Sequence, residues 1–222
     1  MARITPPSNG SKSQNPTTKF FTWKSNEKTF SYYDRETGIN QLVELPFKFL
    51  FLQHYHCVKG WHDASNSSIY SNEVYYIGSE DIRVSASKGG LIAEGLYKEI
   101  KPRVVASGGR YHRSIYIVLE DGSLANLSVK GSVVKEWSDY FDSQKNIIDN
   151  NWIVVNQFTE SKKGSVKYTT PVFNTGDPIG EEMGKAADSA ASYLEAYLKS
   201  SIKKDEDNAV VEDFDASEVD LF

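Results

Sequence analysis

The side chains that catalytic or ligand chemistry would draw on are few and scattered along this chain. His54-Tyr55-His56-Cys57, with His62 a little further on, brings imidazoles and a thiol into one short stretch, and these are the residue types that bind zinc. No second cysteine and no matching histidine pair stands elsewhere at ligand spacing, so the cluster is expected to hold no metal. Glu120 and Asp121 are adjacent carboxylates, yet Asp121-Gly122 separates two apolar runs and predicts a type I′ hairpin turn rather than an acid–base pair. Ser107-Gly108-Gly109-Arg110-Tyr111-His112-Arg113 sets paired glycines beside two arginines. That composition can offer backbone N–H groups to a phosphate, but it suits a plain hairpin turn equally well and lacks the Gly-Lys-Ser/Thr ending of a P-loop. His-Glu-x-x-His and Gly-x-Ser-x-Gly are absent. The expectation is a binding protein, not an enzyme, with no cofactor.

Charge is divided unevenly. The chain holds 25 Lys+Arg against 30 Asp+Glu, but residues 205–222 contain eight acids and no base, which leaves a net charge of +3 on residues 1–204. Such an acidic segment repels itself and has little apolar surface to offset its ordering entropy, so it predicts a disordered acidic tail. Phe214, Val219, Leu221 and Phe222 are set among its carboxylates, giving the tip the makings of a docking ligand for a basic pocket with an apolar floor. The lone Cys57 excludes an internal disulfide. No leader-like or membrane-spanning apolar run is present, and the expected location is the cytoplasm, that of the host cell if the protein is viral.

The elements that must position these residues are mostly strands. Residues 1–18, rich in Pro, Ser, Asn and Thr, read as a flexible arm. Lysine-flanked aromatic runs at 19–24 and 28–33 form a hairpin. Residues 39–53 make one or two strands bent at Pro46, with Phe47, Phe49 and Phe51 on the core face. Further strands are expected at 69–77 and 82–86, and a hairpin at 114–129. An amphipathic helix is expected at 132–145, on the spacing of Val133, Val134, Trp137, Tyr140 and Phe141. A basic turn at 159–165 joins strands at 152–158 and 166–173. Asp177-Pro178 should then cap a second helix running to about residue 204, with Met183, Ala187, Ala190, Leu194, Tyr197 and Leu198 as its stripe.

A helix set between the third and fourth strands of an antiparallel barrel is the element order of the OB-fold. The expected fold is therefore mainly β: an OB-fold-like antiparallel barrel over residues 19–176 with one inserted helix, a C-terminal helix at 177–204 and disordered termini. With the terminal Val219-Asp220-Leu221-Phe222, the chain resembles single-stranded DNA-binding proteins, in particular those encoded by bacteriophages. The resemblance implies sequence-independent binding of single-stranded DNA in replication, recombination and repair. Phosphates would meet Lys24, Lys28, Lys98, Lys101, Arg103, Arg110, Arg113, Lys162, Lys163 and Lys167, and bases would stack on Trp23, Tyr32, Tyr111 and Tyr168. The tail residues Asp213, Phe214, Asp215, Glu218, Asp220, Leu221 and Phe222 would recruit replication proteins and compete with DNA. No membrane partner is expected, and a homo-oligomer is allowed. The other reading is a β-rich viral structural or protein-interaction module that binds no nucleic acid.

Overall fold

Alternating aromatic and polar residues build the first hairpin, β1 (Lys19–Lys24) and β2 (Thr29–Asp34), with Trp23 opposite Phe30. The computed structural model describes residues 15–212, with side chains as far as residue 199. β3 (Ile39–Leu42) adds to the free edge of β2. After Pro46 the chain enters β4 (Phe47–His62), sixteen residues long, which is the spine of the molecule. It pairs antiparallel with β8 (Gly109–Leu119) along most of its length. On its other edge it takes β10 (Asn151–Lys163) near Phe49 and β5 (Ser67–Ser71) near Gly60. β6 (Asp81–Ala86) and β7 (Gly90–Leu96) continue outward from β5, β9 (Leu124–Lys130) pairs with β8, and β11 (Val166–Pro178) pairs with β10.

Among the described residues three α-helices pack on this sheet. α2 (Ser132–Gln144) lays its apolar stripe on one face, where Trp137, 0 % exposed, meets Phe51 and Phe173 in a cluster with Phe21, Phe30, Phe49, Ile115, Leu127 and Ile153. α1 (Tyr97–Ala106) closes a second core of Val58, Ile69, Ile82, Val84 and Val104 under β5–β7. α3 (Glu181–Glu212) packs Met183, Ala187, Ala190, Leu194 and Leu198 against Leu50, Leu52, Tyr116, Val118, Leu124 and Trp152. No helix among the described residues is long and apolar enough to cross a membrane.

The OB-fold expectation is corrected by the strand pairing. Among the described residues eleven strands form one mixed, open sheet in the order β3-β2-β1-β9-β8-β4-β5-β6-β7, with the β10–β11 arm branching from β4. β1 runs parallel to β9, pairing Lys19–Phe21 with Ala125–Leu127. A closed antiparallel barrel has neither a parallel pair nor free edges, and three helices replace the single inserted helix plus a terminal one. The hairpins β1–β2, β8–β9 and β10–β11 pair as expected, but the long-range partners differ, because hydrophobic periodicity specifies a strand and not which distant strand it joins.

Several element boundaries also differ. The strand expected at 69–77 ends at Ser71, because the Asn72 side chain bonds to the backbone of Asp81 and Arg83 and turns the chain out. The segment after Gly90 is a strand followed by a helix, α1, which contains Pro102. The Glu120-Asp121-Gly122 turn is not type I′: only Gly122 has positive φ (79°), and Leu119 donates to the Ser123 carbonyl across a three-residue loop. Asp177 and Pro178 finish β11 instead of capping a helix, and α3 starts at Glu181. α3 continues to Glu212, so part of the segment expected to be disordered is helical. The tail residues Asp213, Phe214, Asp215, Glu218, Asp220, Leu221 and Phe222 lie outside the described residues.

Candidate binding cleft

Beyond Phe21 and Leu127 the parallel pairing of β1 with β9 stops, and Thr22–Lys24 and Ser128–Lys130 instead wall a cleft of about 1100 Å³. α1 contributes Tyr97, Lys101 and Val105, the start of β8 contributes Arg110 and Tyr111, and the first turn of α2 contributes Val133, Val134 and Lys135. Tyr168 and Thr169 of β11 close the far end. Lys24, Lys101, Arg110, Lys130 and Lys135 all reach the lining, which among the described residues contains no aspartate or glutamate. Ser25, Tyr168 and Thr169 are shared with an adjoining cavity of about 470 Å³ that adds Lys28, Lys162 and Lys167, with Glu160 paired to Lys28 at 3.0 Å.

The rings are held firmly. Trp23 donates its indole N–H to the Thr169 carbonyl at 2.9 Å and packs edge-on to Phe30. Tyr111 bonds through its hydroxyl to His56 Nδ1 at 2.5 Å and lies 5.5 Å from the Tyr97 ring. Arg110 donates to the carbonyls of Val105 and Gly109, so its guanidinium is fixed at the mouth of α1. Lys135 is ion-paired to Asp139 one turn along α2.

Of the fourteen side chains predicted to meet DNA, Trp23, Lys24, Lys101, Arg110, Tyr111 and Tyr168 meet in the main cleft, and Lys28, Lys162 and Lys167 in the adjoining cavity. Five are elsewhere. Tyr32 packs against Phe21 with Lys19 over its ring; Lys98 and Arg103 are on α1 away from the lining; Arg113 approaches His54 at 3.4 Å; and Lys163 is at the tip of the β10–β11 arm. Tyr97, Lys130 and Lys135 were missed. Lys130-Gly131 before a helix was the available signal, since a strand ending there delivers its last side chain beside the helix start.

Three of the histidines are tied to side chains of the sheet and its helix. His54 accepts the Trp137 indole N–H at 3.1 Å, and its pKa is lowered to about 4 by burial and then by the Arg113 charge. The same two causes lower His56 to about 4, while burial and the charges of Lys59 and Lys130 lower His112 to about 4. All three are neutral at pH 7. Cys57 is on the opposite face of β4 from His54 and His56, and burial pushes its thiol up to about 12, which keeps it protonated. Among the described residues no three His, Cys, Asp or Glu side chains form a metal-ligand group.

Gly108 and Gly109 are structural, not a phosphate cradle. Gly108 has φ of 96° and approaches the Trp61 backbone, while a Cβ on Gly109 would meet Val104 at 2.7 Å. Their lack of side chains lets the end of α1 turn tightly into β8.

No family model, curated protein or solved structure matches this chain. The expectation of sequence-independent single-stranded DNA binding rested on barrel order and family likeness, with the split of charge and the terminal aromatic as its motive. The open mixed sheet removes the first and the comparisons supply nothing for the second, and with them go the assignments to replication, a bacteriophage origin and a tail that recruits partners.

Proposed function

We propose that the protein is a β-rich, non-catalytic protein-interaction module whose cleft receives an acidic, apolar-anchored segment of a partner protein. The observation that carries this reading is a lining that, among the described residues, holds Lys24, Lys101, Arg110 and Lys130 beside the ion-paired Lys135, with no aspartate or glutamate and with an aliphatic floor of Val133 and Val134 next to Val105. Charge of one sign in a concave, low-dielectric wall attracts its opposite and orients it, while the floor rewards burial of a Leu- or Phe-sized side chain. A run of stacked bases needs open ring faces in series. Here Trp23 and Tyr111 are committed by hydrogen bonds and ring contacts to the walls, which favours a peptide anchor over a base.

The test is fluorescence anisotropy with a labelled peptide of about twelve residues, Asp and Glu around one Phe, on the full chain. Binding should weaken at least about tenfold in the Lys101→Glu, Arg110→Glu double variant and weaken with salt, since both cations are on the rim. Oligothymidine is the competing probe. If it is held and released by the charge reversal while the peptide is not bound, the protein-interaction reading is wrong.

A further inference from the structure

The loop between β5 and β6 has the opposite character to the cleft. From residue 63 to residue 82 the chain holds four acids, Asp63, Glu73, Glu80 and Asp81, and no Lys or Arg. Inside that acidic stretch Tyr75 and Tyr76 are 43 % and 64 % exposed, their rings perpendicular with centroids 4.5 Å apart. Tyr55 extends the patch, edge-on to Tyr75 at 6.3 Å.

Two tyrosines on a slack loop would say little, but this loop is braced throughout. Asn72 closes its base, donating to the Asp81 carbonyl at 3.1 Å and accepting the Arg83 N–H at 2.8 Å. Val74 bridges to His56 by a pair of backbone bonds of 2.8 and 3.0 Å. The Glu80 carboxylate accepts the N–H of Tyr76 at 2.7 Å and of Tyr75 at 3.3 Å, and the N–H groups of Ser79 and Glu80 return to the Tyr76 carbonyl. Glu73 accepts the Tyr116 hydroxyl at 2.7 Å, placing a second carboxylate at the root of the loop.

Rings held in place before a partner arrives lose little entropy on binding, which is what makes tyrosine an effective anchor at interfaces. Exposed ring faces backed by carboxylates attract a cation twice over, through the ring quadrupole and through the net charge. We infer that the Tyr75–Tyr76 loop is a second interaction surface, independent of the cleft, that binds an arginine-bearing segment of a partner protein. An arginine side chain lies across the Tyr76 face with the Glu80 carboxylate beside it, and Glu73 adds negative charge at the root of the loop. Arginine suits the site better than lysine because its planar guanidinium stacks on a ring and sheds water more readily.

The experiment titrates a labelled peptide of alternating glycine and arginine into the full chain, beside the same peptide with glutamine in place of arginine. The arginine peptide should bind and the glutamine peptide should not. Tyr75→Ala with Tyr76→Ala should weaken binding at least about tenfold, Glu80→Gln less, and Tyr76→Phe should retain most of it, since the ring and not the hydroxyl makes the contact. Amide shifts confined to residues 72–80 in the unmutated protein would locate the site without any substitution. Equal affinity in the double alanine variant, or shifts centred on the cleft, overturns the assignment. Failure of the acidic peptide to bind the cleft leaves this surface untouched, because the two tests share neither probe nor variant.

Discussion

Single side chains in this protein act through the state in which burial holds them. His54, His56 and His112 have folded pKa values lowered to about 4, against about 6.5 in an unfolded chain. Between those values the unfolded chain carries protons that the folded one does not, so stability is fully present above pH 6.5 and is lost as pH falls toward 4. Asp34, Asp121, Asp142 and Glu195 are held below their ordinary values by hydrogen bonds to the carboxylate, so the loss linked to them is completed at more acid pH. Urea denaturation at pH 7, 6, 5 and 4.5 should give a progressively lower midpoint. His54→Gln, which keeps an acceptor for the Trp137 indole, should flatten that decline. A midpoint constant down to pH 4.5 would mean that these rings are protonated in the folded state after all. The same residues show the limit of reading chemistry from spacing. His54, His56 and Cys57 are neighbours in sequence, but strand alternation sends the thiol to the other face and removes it from any ligand set.

Between elements, a tight approach is made by backbone where α1 turns into β8 beside β4. A Cβ on Gly60 of β4 would come within 2.3 Å of the carbonyl oxygen of Gly108, which belongs to the turn joining α1 to β8, so relief of the clash must move that turn. Gly60→Ala should therefore destabilise the fold by about 2 kcal/mol or more, a strain-type loss. It should also weaken capture of the acidic peptide, because Tyr97, Lys101 and Val105 reach the cleft from α1. Thermal melting and the anisotropy titration together test this, and a variant as stable as the parent with intact binding would show that the two strands tolerate separation. Elements whose signal is local were legible: the β1–β2 hairpin from its alternation, and α2 from the spacing of Val133, Trp137 and Phe141. α1 was not, because Pro102 reads as a breaker. In the structure Pro102 is in the second turn and the helix survives it by packing Val104 into the β5–β7 core. Asp177-Pro178 misled in the opposite sense. It has the composition of a helix start, but pairing of Pro178 with Asn151 keeps it in the sheet.

At the scale of the whole molecule the strand list was largely readable and the assembly was not. Lys19–Phe21 and Ala125–Leu127 are more than a hundred residues apart, and nothing in either run specifies that they pair in parallel. The cleft exists only because that pairing ends early. Trp23, Lys101, Arg110 and Tyr168 therefore stood out singly as ring or cation, while their meeting in one wall had no sequence signal. The same open architecture leaves edges, and β3 is one end of the main strand path. Its four residues carry no charge and no proline, Ile39 and Leu42 are 57 % and 54 % exposed, and its outer side pairs with no other strand among the described residues. β7, at the other end, carries Glu94 in an ion pair with Arg83 and leads directly into α1. An uncharged edge with apolar side chains is a template for strand addition when molecules collide, and lysine on such an edge blocks it. Ile39→Lys with Leu42→Lys should thus raise the onset temperature of light scattering by several degrees while changing stability by no more than about 0.5 kcal/mol, the usual range for exposed positions. Scattering onset that moves only in step with the melting temperature would place the aggregating contact elsewhere on the molecule, with the exposed Trp61, Tyr70 and Leu91 as the next region to charge.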